Sequence, residues 1–115
     1  MRRLARTRII SESDKRLMLE VKDAVTRLVP DAEVVLYGST ARGRRHPDSD
    51  YDILVLTGPK LTSEEKRALQ GAVYDVELAR DVVISIAVCS REKWESSLLL
   101  GSPYRKNVIK EGIVL

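Results

Sequence analysis

The sequence is poor in the residues that build covalent staples and metal clusters: 115 residues carry one cysteine, Cys89, and one histidine, His46. An internal disulfide is thereby excluded, and Cys- or His-based zinc chemistry is argued against. A lone cysteine suits a reducing compartment, and the expectation is a cytoplasmic protein. Phenylalanine is absent, and the aromatics are Trp94 and the tyrosines 37, 51, 74 and 104. The core must therefore be built from Leu, Ile, Val and Ala. No apolar run approaches the ~20 residues that span a bilayer, so no membrane segment is expected. The first ten residues, MRRLARTRII, are basic but are followed by neither an apolar stretch nor a cleavage site, so no secretory leader is expected. What is present, 43% hydrophobic and 32% charged residues, fits one folded domain over residues 1–115 and excludes a disordered chain.

The net charge of +3 is modest, yet the arginines cluster. Arg2, Arg3, Arg6 and Arg8 crowd the first ten residues, and Arg42, Arg44 and Arg45 precede His46. Such groups can grip phosphates of a nucleotide or a nucleic acid. No aromatic residues interleave with them to stack bases, so nucleic-acid binding is only weakly supported, and residues 1–10 are expected to be a solvated, frayed tail.

Periodicity divides the rest of the chain. Leu17, Met18, Val21, Ala24, Val25 and Leu28 recur at helical spacing up to Pro30. Residues 32–38 read as a buried strand, and a Gly- and Arg-rich stretch, 38–47, leads to a second strand at 50–56. Thr62 and Glu65 form a capping-box pattern that opens a helix with Leu69, Ala72, Val73 and Val76 on one face. Residues 82–89 make a third strand. Ser90 caps a short helix, and Ser102-Pro103 starts another that Gly112 ends. The predicted order α-β-β-α-β-α-α is an α+β fold, a small mixed α/β sheet with helices packed on one face. Alternation assigns the faces. Val82, Ile84, Ile86 and Val88 form an apolar side that meets the helices, as do Tyr51, Ile53 and Val55. Asp50 and Asp52, and on the third strand Asp81, Val83, Ser85, Ala87 and Cys89, point the other way. Polar chemistry is expected on that second side.

Asp50 and Asp52 project side by side from one strand. Two bare carboxylates repel by ~1 kcal/mol at 4 Å in water and by ~4 kcal/mol near a protein surface. One then takes up a proton, or a cation neutralises both. A hard divalent ion, Mg²⁺ above all, suits the pair and completes its shell with water and substrate phosphates. A lone D-x-D also occurs as an ordinary surface pair. At the exit of the first strand, however, stands Gly38-Ser39-Thr40-Ala41-Arg42-Gly43. A glycine there admits a phosphate close to the backbone, the Ser39 hydroxyl can donate to it, and Arg42 adds charge. The simpler reading is a strand-to-helix turn with Ser39 as its N-cap. The coupling of a phosphate cradle to a carboxylate pair is more specific than either half.

The run Gly38-Ser39-Thr40-Ala41-Arg42-Gly43, then Ser49-Asp50-Tyr51-Asp52-Ile53-Leu54-Val55, resembles the G-S-x-A-R-G-x5-S-D-x-D-x-x-V signature of the minimal nucleotidyltransferases. These are small members of the DNA polymerase β-like nucleotidyltransferase superfamily, found in HEPN/MNT pairs. Every defined motif position is present, and the tail from Ser102 through Glu111-Gly112-Ile113 also resembles bacterial members. The resemblance implies that Gly38, Ser39 and Arg42 bind nucleotide. Asp50 and Asp52 would be catalytic and would hold Mg²⁺, as one ion or two. The expected reaction transfers a nucleoside monophosphate from a nucleoside triphosphate, ATP by preference, to a hydroxyl of a partner protein or RNA. The implied partner is a small helical HEPN-type protein, with this chain as the antitoxin half. Arg42 either touches phosphate or braces the loop by an ion pair. Asp48 reads as a turn residue and His46 as a solvated one, while Trp94 and Cys89 read as packing residues.

The third strand departs from the pattern. Members of the resembled family with full activity usually carry a third carboxylate there, and the aligned position holds Ser85. Asp81 shares its face but lies ~13 Å away along a strand. A serine hydroxyl is a poor metal ligand and a poor base near neutral pH. The alternative to an enzyme is therefore a catalytically weak or inactive protein of the same fold that binds and neutralises a partner.

Overall fold

A computed structural model describes every residue of the chain except Arg45 and Pro47, so the third arginine of the second cluster and the expected turn at Pro47 lie outside the described residues. After a two-residue strand β1 (Arg2–Arg3) and a 3-10 turn (Leu4–Arg6) comes α1 (Glu12–Leu28), whose Ser11 N-cap hydroxyl accepts from the Asp14 amide. Strand β2 (Glu33–Tyr37) leads directly into a single helical turn, α2 (Gly38–Ala41), and then to β3 (Tyr51–Thr57). The Thr62–Glu65 capping box, formed in both directions, opens α3 (Ser63–Arg80), and β4 (Ile84–Ser90) follows. Three short helices, α4 (Arg91–Trp94), α5 (Ser97–Leu100) and α6 (Pro103–Glu111), precede β5 (Ile113–Val114). Ser90 and Ser102 cap α4 and α6 with their hydroxyls, as their positions predicted.

The five strands form one mixed sheet in the order β1-β5-β2-β3-β4. β2 is antiparallel to both β3 and β5, whereas β3 and β4 are parallel and need the α3 crossover between them. On one face Val34, Leu36, Ile53, Val55 and Ile84 pack with Met18, Val21 and Val25 of α1 and with Leu69 and Val73 of α3. The expectation of helices on one face holds for these two long helices. The short C-terminal helices go elsewhere: Trp94 and Val108, with Leu99 beside them, pack on Val35, Leu54 and Leu56 of the opposite face. Their apolar positions are too few for a period to show which side they cover.

The chain ends correct the expected frayed tail. Arg2 and Arg3 pair in parallel with Ile113 and Val114, and Leu4 is buried. The Arg2 guanidinium donates to the carbonyls of Ala41 (2.9 Å) and Glu111 (2.7 Å). A two-residue strand has no alternation to read, and its partner lies at the other end of the chain. Among the described residues no helix is long and apolar enough to cross a membrane.

Candidate active site

The chemistry-bearing residues meet where β2 ends and β3 begins. Register places Tyr37 opposite Asp52, and Asp52 opposite Ser85, in one row across β2, β3 and β4. Immediately after Tyr37 the backbone turns at Gly38, with φ of 79°, into the α2 turn. A Cβ at Gly38 would collide with the Asp52 carboxylate. Only a residue without a side chain lets the G-S turn lie this close to the carboxylate while adopting a left-handed conformation. Ser39 sits inside the turn, not at its cap, which is Tyr37. The turn is closed by the Arg44 amide donating to the Ser39 carbonyl at 2.9 Å. A second left-handed glycine, Gly43 at φ 72°, packs against Ile9 and ties the loop to the N-terminal segment.

Asp50 precedes β3 and is exposed, while Asp52 is half-buried. Burial, followed by the charge of Asp50, raises the Asp52 carboxyl above its ordinary range; Arg42 opposes this shift and Glu111 adds to it. The Ser85 hydroxyl donates to Asp50 Oδ2 at 3.2 Å. Ser85 thus stands beside both aspartates, where the reading of β4 put it. Asp81 does not. It is the left-handed C-cap of α3, at φ 54°, three residues before β4 begins, so it shares no strand face with Ser85. Among the described residues no group of three or more His, Cys, Asp or Glu comes together as a metal site. The donors present, two carboxylates held together against their repulsion, fit a hard divalent cation whose remaining ligands are water and phosphate oxygens.

Sequence reasoning missed Glu111. Its carboxylate accepts from the Gly38 amide (3.2 Å, Oε1) and pairs with Arg42 (2.9 Å, Oε2). Arg42 therefore braces the loop, one of the two roles open to it. The sole signal in the sequence was Glu111-Gly112 in the tail, because nothing local tells residue 111 that it meets residue 38. The other candidates sit as expected. Asp48 lies in an exposed turn in which the His46 amide donates to Ser49 Oγ, and His46 is exposed. Trp94 is buried packing, and the half-buried Cys89 thiol donates to the Ser90 carbonyl.

The family model described as the nucleotidyltransferase domain matches residues 18–115. No curated protein matches. Among solved structures, the crystal structure of a toxin-antitoxin with AMP-PNP aligns with a TM-score of 0.57 and 20% identity, over 84% of this chain and 69% of the other. A mutant of the toxin-antitoxin MntA-HpeT aligns with a TM-score of 0.59 and 20% identity, over 85% and 70%. At that identity the likeness is one of fold, a mixed α/β sheet of the nucleotidyltransferase type. With the family model spanning the cradle, both aspartates and the C-terminal helices, the chain belongs to the nucleotidyltransferase-domain family, as the motif implied.

Proposed function

We propose that this chain moves a nucleoside monophosphate from a nucleoside triphosphate, ATP by preference, to a hydroxyl of a partner protein or RNA. The observation that carries the reading is the contact at Gly38, where a phosphate-binding turn is pressed against Asp52 with no room for a side chain. In this reading the Ser39 hydroxyl donates to a phosphate oxygen, and the Gly38 amide exchanges the Glu111 carboxylate for another. Arg42 shapes the loop and adds positive charge. Asp50 and Asp52 hold Mg²⁺, one ion or two, which when bound offsets charge on the entering and leaving oxygens. The acceptor oxygen forms a bond to the α-phosphorus, the bond to the bridging oxygen breaks, and pyrophosphate leaves. The acceptor's proton passes to solvent, because Ser85 is a hydrogen-bond donor to Asp50 rather than a base.

The two structural neighbours are toxin-antitoxin proteins, one with AMP-PNP, which supports a nucleotide-using member of such a pair. The proposed partner is a small helical HEPN-type protein and the proposed compartment the cytoplasm, as the motif resemblance and the lone cysteine imply. Ser85 favours a second reading, a protein that binds its partner and transfers nucleotide slowly or not at all. Incubation with labelled ATP, Mg²⁺ and the co-expressed neighbouring gene product, followed by size exclusion and intact mass, separates the two. Slow transfer by the wild type that rises about 10²–10⁴-fold in Ser85→Asp supports the enzyme with a missing base. A stable complex without adduct in either protein supports the binder, and neither complex nor adduct defeats the pairing.

A further inference from the structure

The row that carries Asp52 and Ser85 continues into a hollow with different chemistry. Between the sheet and the short C-terminal helices lies a cavity of about 330 Å³, whose lining includes Tyr37, Leu54, Ala87, Cys89, Trp94 and Tyr104. Leu54 and Ala87 are paired one alternation beyond Asp52 and Ser85, so the cavity shares their face and starts about 7 Å along the strands. Tyr37, opposite Asp52, forms the near wall; the Tyr104 hydroxyl donates to that of Tyr37 at 3.2 Å. The rings of Tyr37 and Tyr104 meet edge to face at 5.7 Å, and those of Trp94 and Tyr104 at 6.4 Å. Asp52 is near enough to Tyr104 to oppose its ionisation, though burial is the larger cause. The larger hollow, about 720 Å³ between α1 and α3, lies on the other face and away from the carboxylates.

We infer that this aromatic slot holds the nucleobase of the triphosphate, an inference that rests on the proposed function. A base joined through one ribose to a phosphate at Asp50 and Asp52 extends one to two residues along the strands, which is where the slot begins. The slot has the volume of a small-ligand site and an apolar, aromatic lining with a few polar tips. Such walls bind the flat face of a base and exclude water from it, as the aromatic platforms of nucleic-acid-binding proteins do. The phosphates and the base thus occupy two parts of one face: carboxylates and cradle at one end, aromatic rings at the other.

Trp94 is the single tryptophan and reports on the slot directly. In the wild-type chain with Mg²⁺, saturating ATP should change Trp94 emission, whereas inorganic tripolyphosphate should bind without changing it. Ala87→Phe, which fills the slot from β4, should weaken ATP at least tenfold, toward the affinity of tripolyphosphate, and leave tripolyphosphate unaltered. Tyr104→Ala, at a position 40% exposed and checked for folding by its melting curve, should weaken ATP alone in the same sense. The inference is overturned, with the nucleotide site left standing, if both ligands bind, both are lost in Asp50→Asn, and Trp94 stays silent. It also falls if Ala87→Phe folds and binds ATP like the wild type. Failure of both ligands to bind the wild type overturns the proposed function and the inference together.

Discussion

On one face of the sheet Val34, Leu36, Ile53 and Val55 meet two long helices through aliphatic side chains; on the other, the row of Tyr37, Asp52 and Ser85 shares its face with Val35, Leu54 and Leu56, which lie under short helices. The same strands build both. Because side chains alternate, Asp52 and Ile53 are neighbours in sequence yet serve opposite ends of the free-energy account, chemistry and stability. The first face is continuous and mostly apolar, and its buried hydroxyls, Tyr51 and Thr57, are hydrogen-bonded to Asp14 and to the Pro59 carbonyl. The second keeps a smaller apolar patch, which leaves room for a half-buried carboxylate and a cavity. Substitutions one residue apart should therefore separate folding from binding.

The largest break is expected on the first face. Ile53→Ala removes a fully buried side chain and should cost about 2–5 kcal/mol in denaturant unfolding, while the molecules that remain folded bind nucleotide as before. A loss of binding without a loss of stability would mean that the faces are not separate. Next comes Gly38→Val. A β-branched residue at φ 79° adds about 1–2 kcal/mol of backbone strain, and its side chain collides with Asp52. Folded protein with no measurable triphosphate binding is expected, and normal binding would move the cradle elsewhere.

The smallest effect has the opposite sign. Asp52 binds its proton more tightly in the folded chain than its ordinary value of 3.8 allows, through burial first and then the charge of Asp50. Stability therefore falls as pH rises from the ordinary value through the raised one, and the destabilisation persists above it. Asp52→Asn should raise the melting temperature slightly at neutral pH, and the gain should vanish once pH drops below the ordinary value. Solvent near this half-buried group keeps the effect small. A lower melting temperature at neutral pH would show that Asp52 supports the fold rather than straining it.

Much of this division was legible in the residues. The capping box at Thr62 and Glu65, the serine caps at Ser90 and Ser102, and the alternation in the second and third strands are local signals, and each gave its element or face correctly. The juxtaposition of Gly38, Asp50, Asp52 and Ser85 followed from strand parity together with the motif. What was not legible is non-local. Pairing of Arg2–Arg3 with Ile113–Val114 joins the two ends of the chain, and Glu111 reaches Gly38 and Arg42 only because α6 folds back over the sheet. The third strand begins at Ile84, two residues later than its apolar run suggests, because Asp81 ends α3 in a left-handed turn. That delay is what removes Asp81 from the site.

The most direct test of the account is calorimetric titration of ATP into the wild-type chain and into the Asp50→Asn, Asp52→Asn double variant, each with and without Mg²⁺. The account predicts binding by the wild type that requires Mg²⁺, and none by the double variant, whose circular dichroism and melting show it folded. Equal affinity in the two proteins, or wild-type binding indifferent to Mg²⁺, would contradict it.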